Sequence, residues 1–271
     1  MGQYLWLIPF GFVIGTCGTL IGAGGGFILM PALLLLYPGE SPELITSISL
    51  AVVFFNALSG SWAYARMRRI DYKAGLLFAA AGIPGAIAGA LSTAYVPRHL
   101  FDVVFGLLMA AASVFLFLHP SRQNETPSRG RSNHVAKTLI ETDGTVHSFS
   151  YDPKVGAGLS FFVGFVSSSL GIGGGIVHVP VLVHLLNFPV HVATATSHFI
   201  LAIMALTGTL VHVVTGSFSH GVYRTVALAI GVLLGAQVGA MLSSRVEGSW
   251  IIRGLAVALG FVGIRILIMG L

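Results

Sequence analysis

The sequence predicts an all-α polytopic membrane protein built from two homologous four-segment repeats. Two observations carry that expectation. Composition is the first: 55% of the 271 residues are hydrophobic, 8% are charged, and mean hydropathy is +0.90. Several apolar windows are long enough, at about 20 residues, to cross a hydrocarbon core of roughly 30 Å. The second is an internal echo. Gly22-Ala23-Gly24-Gly25-Gly26, with Pro31, returns 149 residues later as Gly171-Ile172-Gly173-Gly174-Gly175, with Pro180. Ser49 through Leu58-Ser59-Gly60 returns as Ser197 through Leu206-Thr207-Gly208, and Gly85-xxx-Gly89 as Gly235-xxx-Gly239. Anchors at near-constant offset mark a duplicated unit.

The first membrane repeat is expected over 1–118, with apolar segments at 4–36, 45–65, 74–96 and 99–118. The stretch from Met1 to Phe10 has no basic n-region and runs straight into the first segment, so it does not read as a cleaved signal peptide. Residues 4–36 would form about 50 Å of straight helix, more than a bilayer demands. With a glycine run in the middle, two forms are open. The segment is one tilted, broken helix, or two half-helices that dip in and return to the same side. The second form would leave the repeats inverted. Arg66, Arg68, Arg69 and Lys73 outweigh Asp71 and mark that loop as cytoplasmic, while the loop at Glu40 and Glu43 has no basic residue and reads as external.

A cytoplasmic connector follows over 119–154, carrying Arg122, Arg129, Arg131, Lys137 and Lys154. Its first part, Ser121 to Ser132, is polar. Its second, Lys137 to Tyr151, reads as a small β-hairpin turning on Asp143-Gly144. It serves as a linker or as a regulatory element. The second membrane repeat, 155–271, has segments at 155–186, 190–214, 222–243 and 250–270. Arg224 and Arg245 fall in successive loops and cancel as evidence of orientation.

The net charge of +5 sits beside the apolar spans, where lipid headgroups and positive-inside bias account for it, so nucleic acid is not an expected partner. Cys17 is the single cysteine, which excludes an intrachain disulfide and two-thiol redox chemistry. His178, His184, His191, His198, His212 and His220 make no helical metal-ligand spacing, and no metal or cofactor is expected. His198 or His178 could instead carry a coupling proton. Asp102, Arg253 and Arg265 lie near segment ends, close enough to an interface to snorkel.

The glycine runs are the candidate site. Matching helix breaks in two membrane halves point to a transporter's binding site. Unwound backbone and half-helix N-termini at Gly22, Gly24, Gly25, Gly26, Gly171, Gly173, Gly174 and Gly175 could hold an anion. The hydroxyls before them, Thr16 and Thr19, and Ser167, Ser168 and Ser169, could donate to it without a buried charge. The alternative is close helix packing by small residues. A second polar set lies on the next segment of each repeat: Ser47, Ser49, Asn56 and Ser59, with Ser49, Asn56 and Ser59 near one helical face, and Thr194, Thr196, Ser197, His198 and Thr207. It completes the site or bonds helices together, and Gln237 in the seventh segment has the same two readings. The Gly85 and Gly235 motifs read as packing seams.

The pattern GxGGGxxxxP at Gly22–Pro31 and Gly171–Pro180, followed by the Ser/Thr-rich start of the next helix and Leu-Ser/Thr-Gly, resembles the TauE/SafE-type sulfite exporter family. The resemblance spans both repeats and the connector. It implies a multi-pass protein of a bacterial or archaeal cytoplasmic membrane, a secondary carrier of a small, sulfur-containing oxyanion such as sulfite, a sulfonate or thiosulfate. By the same resemblance, the two glycine breaks form the central site near the bilayer midplane and work by alternating access, with proton or sodium coupling. One departure stands out: Thr196-Ser197-His198 replaces the Ile48-Ser49-Leu50 of the first repeat, where many members have an apolar residue after the serine. An anion channel is the alternative function. An intramembrane serine enzyme is not expected, since the nearest approach, Ser59-Gly60 with His212, lacks a Gly-x-Ser setting. Oligomeric state is not legible.

Overall fold

A computed structural model of the chain describes residues 4–118, 134–218 and 221–269, so Arg122, Arg129, Arg131 and His220 lie outside the described residues. The described elements run α1 (Leu7–Ile21), α2 (Gly26–Leu36), α3 (Pro42–Arg66), α4 (Tyr72–Ser92), α5 (Arg98–Leu118), β1 (Val135–Ile140), β2 (Val146–Tyr151), α6 (Pro153–Ser169), α7 (Gly175–Pro180), α8 (Val190–Val214), α9 (Val222–Ser243) and α10 (Gly248–Met269). A π-helical turn, Val181–Leu185, prolongs α7. Among the described residues, five helices, α3, α4, α5, α8 and α9, are long and apolar enough to cross a membrane. Side-chain caps start α4 and α6: Asp71 accepts from the Lys73 and Ala74 N–H groups, and Asp152 does the same for Lys154 and Val155. The expected segments are all present, and the first of each repeat is two helices rather than one.

Glycine seams fix the helix directions. A Cβ at Gly85 would lie 2.1 Å from the Phe161 carbonyl oxygen and one at Gly89 2.2 Å from that of Phe165, so α4 and α6 run parallel at backbone contact. Gly235 and Gly239 meet the Phe12 and Thr16 carbonyls in the same way, making α9 parallel to α1. Both GxxxG motifs are packing seams, as expected. Each joins a helix of one half to a helix of the other. In contrast, Gly106 meets Leu267 while Gly260 meets Ser113, so α5 and α10 are antiparallel. Gly60 meets His198 while Gly208 meets Leu50, so α3 and α8 are antiparallel as well. These are the corresponding helices of the two halves, which are therefore inverted.

That settles the first segment. Arg224 stacks 3.9 Å over the Tyr37 ring, pairs with Glu40 at 3.0 Å and bonds Tyr4. Tyr4 precedes α1 and Tyr37 follows α2, so both outer ends lie on one side of the bundle. The pair is a re-entrant hairpin of half-helices. Arg98 closes the end of α2, donating to the Leu34 carbonyl at 3.0 Å and, in the loop that follows, to those of Pro38 at 3.0 Å and Glu40 at 2.9 Å.

The β-hairpin covers the end that carries Arg66, Arg68, Arg69 and Lys73. Its strands pair from Val135↔Tyr151 to Ile140↔Val146, and Gly144 turns it at φ 88°. Lone hairpins are marginal in water, and this one is docked. Phe149 and Tyr151 pack on Phe188 at 4.5 and 5.0 Å. Glu141 pairs with Arg69 at 2.5 Å and with His147 at 2.7 Å, and Lys137 pairs with Asp71 at 3.1 Å. The Arg69 and Glu141 side chains are only 7% and 4% exposed.

Burial alone would raise the Glu141 pKa, but the bonds from His147 and Arg69 outweigh it and hold the carboxyl below its ordinary value. The stabilisation is therefore complete above the unfolded pKa, about 4.3, and is lost as pH falls through the lower folded value. Protection from deuterium exchange over residues 135–151, taken relative to the intrinsic exchange rate at each pH, should fall on that acid descent. Glu141→Ala should lower it at neutral pH by roughly 3–5 kcal/mol, since it strands a buried guanidinium.

Candidate functional site

Between α1 and α2, and again between α6 and α7, the chain turns back through glycines in the left-handed region: Gly22, Gly24 and Gly25 at φ 86°, 73° and 77°, and Gly171, Gly173 and Gly174 at φ 69°, 75° and 94°. The two tips cross. A Cβ at Gly26 would lie 2.6 Å from the Ile172 carbonyl oxygen, and one at Gly175 2.6 Å from that of Gly22. The N-termini of α2 and α7, which begin at those glycines, are thereby brought together, with the Ile28 and Leu29 N–H groups closing on the Gly25 carbonyl and those of Val177 and His178 on that of Gly174. Both tips rest on one apolar wedge. Gly24 and Gly173 each abut Val53 of α3 and Leu201 of α8, with virtual Cβ distances down to 2.2 Å and 2.4 Å.

Each tip is held by the other half. Ser49 donates to the Gly171 carbonyl at 2.6 Å, and Ser197 to that of Gly22 at 3.3 Å. Around the first tip a polar cluster closes: Thr19 Oγ1 lies 3.2 Å from Asn56 Oδ1 and 3.2 Å from His198 Nε2. Tyr64 donates to the Thr19 carbonyl at 2.7 Å and meets the His198 ring edge-on at 5.6 Å. Around the second tip the counterparts of Asn56 and His198 are Met204 and Leu50. Ser168 is 1% exposed there with its Oγ unpartnered, and it faces Gly208 of α8, whose virtual Cβ is 3.3 Å from that oxygen; His212, one turn further along α8, is also 1% exposed with Nε2 unpartnered. Ser167 faces Gly174, whose virtual Cβ is 3.0 Å from its hydroxyl oxygen.

The structure thus gathers Thr19, Ser49, Asn56, Ser167, Ser168, Ser197, His198 and both glycine runs at the crossing. It places four of the sequence candidates elsewhere. Thr16 bonds back to the Phe12 carbonyl on the seam with α9, and Ser169 lies 3.1 Å from Ser92 at the end of α4. Thr196 accepts from the Asp71 N–H at 3.1 Å. Gln237 donates to the Ser59 carbonyl and hydroxyl, both at 2.8 Å, as a bond between α9 and α3. Ser59, read with Ser49 and Asn56 as one helical face, instead donates to the Leu233 carbonyl of α9, because α3 is central and surrounded. His178 is paired with Ser160 at 3.1 Å, away from the tips.

Tyr64, Val53 and Leu201 escaped the sequence reading. Asn56, Gly60 and Tyr64 recur every four residues, a stripe that would have flagged the tyrosine. Val53 and Leu201 look like any buried aliphatic residue. Arg69, whose Nη1 is 3.3 Å from Ser243 Oγ, and Tyr64, which also bonds Ser243, connect the docked hairpin to this cluster.

Residues 7–266 match the family described as Sulfite exporter TauE/SafE. The probable membrane transporter protein YunE of Bacillus subtilis is 31% identical over 275 residues, 99% of each chain. A probable membrane transporter protein of Methanocaldococcus jannaschii is 23% identical, over 98% of this chain and 97% of its own. One from Xylella fastidiosa is 24% identical, over 88% of this chain and 84% of its own. No solved structure matches.

Gly24→Ala combines a left-handed backbone with overlap on Leu201, and should cost roughly 2–4 kcal/mol in thermal unfolding. Adding Leu201→Ala should recover the overlap share and leave the backbone share. No recovery in the double variant would mean that the wedge does not bear on the tip.

Proposed function

Since this chain belongs to the TauE/SafE sulfite exporter family of membrane transporters, we propose that it is a secondary carrier of a small oxyanion, of the sulfite, sulfonate or thiosulfate class, bound where the two glycine tips cross. The convergence of two half-helix N-termini at one buried point is the observation that carries this reading. Their N–H groups and positive dipole ends favour an anion, and low dielectric magnifies that preference. Ser168, whose hydroxyl is buried without a partner, supplies a neutral donor, so the anion can be held without a fixed buried cation. A fixed cation would hold an oxyanion tightly; hydroxyls and backbone release it more readily.

Inverted halves support alternating access. Each tip leans on helices of the other half, so rocking one half exchanges which side of the crossing is open. The Val53–Leu201 wedge supports a carrier over an anion channel, since both tips are packed against it and an open path would require it to move. The polar cluster near the first tip lies toward the cytoplasmic, hairpin-covered end, and Ser168 with His212 toward the end of Glu43.

The test is a thermal-shift screen of purified protein against sulfite, sulfate, thiosulfate, taurine, isethionate, sulfoacetate and matched carboxylates. A sulfur oxyanion at a hundred times its Kd should stabilise by about 2.7 kcal/mol. Ser168→Ala and Thr19→Val should each weaken that anion roughly tenfold while leaving the unliganded protein folded. Stabilisation by cationic or neutral solutes alone would overturn the anion site.

A further inference from the structure

Asn56, Thr19 and His198 form a hydrogen-bond chain whose direction can reverse. Thr19 Oγ1 stands 3.2 Å from both Asn56 Oδ1 and His198 Nε2, and all three residues are 0% exposed. A threonine hydroxyl has one proton, so it donates to only one of them. When it donates to Asn56 Oδ1, Nε2 must carry a hydrogen and donate to Thr19. Asn56 Nδ2 is then fully buried without a partner, as it is in this conformation. When Thr19 instead donates to Nε2, the carboxamide turns over, Nδ2 donates to Thr19, and the amide oxygen is left free. The two ends of a carboxamide have one shape, so this turnover moves no helix.

Protonation of the imidazole selects the direction. The carbonyl oxygens of Gly22 and Thr194 face the ring, and Nδ1 closes no hydrogen bond in this conformation. With Nε2 engaged by Thr19, those carbonyls favour a hydrogen on Nδ1. A neutral ring with its one hydrogen there makes Nε2 an acceptor; a protonated ring makes it a donor. The titratable side chain against the ring is Tyr64 of α3, edge-on at 5.6 Å, and Arg69 lies beyond it. Thr19 comes from α1, whose Cys17 is half-buried, and Ser243 of α9 bonds Tyr64 rather than the ring. Among the described residues no charged side chain acts on His198.

We propose that His198 carries the coupling proton of transport and that Asn56 reads it out. Uptake of one proton from water at Nε2 reverses the chain, turns the Asn56 NH2 group toward the crossing and adds a positive charge, so the site gains anion affinity. Loss of the proton to water presents the amide oxygen instead and ejects the anion. Leu50 and Met204 occupy the corresponding places in the other half, so the switch exists once per molecule. The proposal rests on the anion-carrier reading and adds its coupling ion.

Isethionate and thiosulfate are suitable probes because neither titrates near neutrality. Their affinity should rise up to about tenfold per pH unit of acidification above the histidine titration. A pH indicator in weakly buffered solution should show up to one proton taken up per anion bound. His198→Gln should still bind, with no proton uptake and a flat pH profile. Thr19→Val should keep the proton uptake and lose most of the affinity gain. Wild-type proton uptake in His198→Gln would overturn the switch and leave the anion site standing. Should that variant not fold, an unchanged pH profile and affinity in Thr19→Val would overturn it equally. If neither probe binds the wild type between pH 5 and 9, the anion reading fails, and the switch with it.

Discussion

A chain that breaks its helix inside a membrane bares polar backbone that lipid cannot solvate, at a cost of several kcal/mol for each unsatisfied group. Everything else in this molecule follows from how that constraint is met. Each half carries one break, and each break is satisfied by the opposite half: Ser49 holds the Gly171 carbonyl, Ser197 that of Gly22, and the glycines at the two tips allow backbone to meet backbone. Neither half could bury its own tip. The break, the duplication and the inversion are therefore one structural solution.

Mutual dependence also explains the seams. The α1–α9 and α4–α6 contacts exchange helices between the halves at distances only glycine permits, while α3 and α8, antiparallel at the centre, supply the wedge on which both tips rest. Polar residues are spent sparingly. Those on the spans bond neighbouring helices, as Gln237 does with Ser59, or gather at the crossing, and the ion-paired Arg, Lys, Asp and Glu side chains are concentrated at the two ends. The end opposite the hairpin is closed by Arg98 on the α2 carbonyls and by Arg224 on Glu40 and Tyr37. The other is covered by a hairpin fixed through Arg69, the residue that also reaches Ser243 and, through Tyr64, Thr19.

Hydropathy made the segments legible, and the repeated glycines made the duplication legible, because both are local or periodic signals. The hairpin at Asp143-Gly144 was readable for the same reason. The re-entrant form of residues 4–36 was not, since a glycine run is equally compatible with a kink and a reversal; the decision lies in Arg224, 184 residues from Glu40. Nor could residue type separate Thr19 from Thr16, or Ser168 from Ser169. They differ only in the face of the helix they occupy, and that is set by which helix packs alongside. Val53 and Leu201 were invisible because an aliphatic wedge has no composition of its own.

The central claim is that the crossing of the tips is the point through which substrate passes. The direct measurement places a single cysteine at Val53, in a Cys17→Ser background, in sealed vesicles carrying active protein. Membrane-impermeant thiol reagents are then applied from one side or the other, with and without a bound oxyanion. Alternating access predicts labelling from either face and protection by the anion. A cysteine inert from both faces in a protein that still transports would contradict the account.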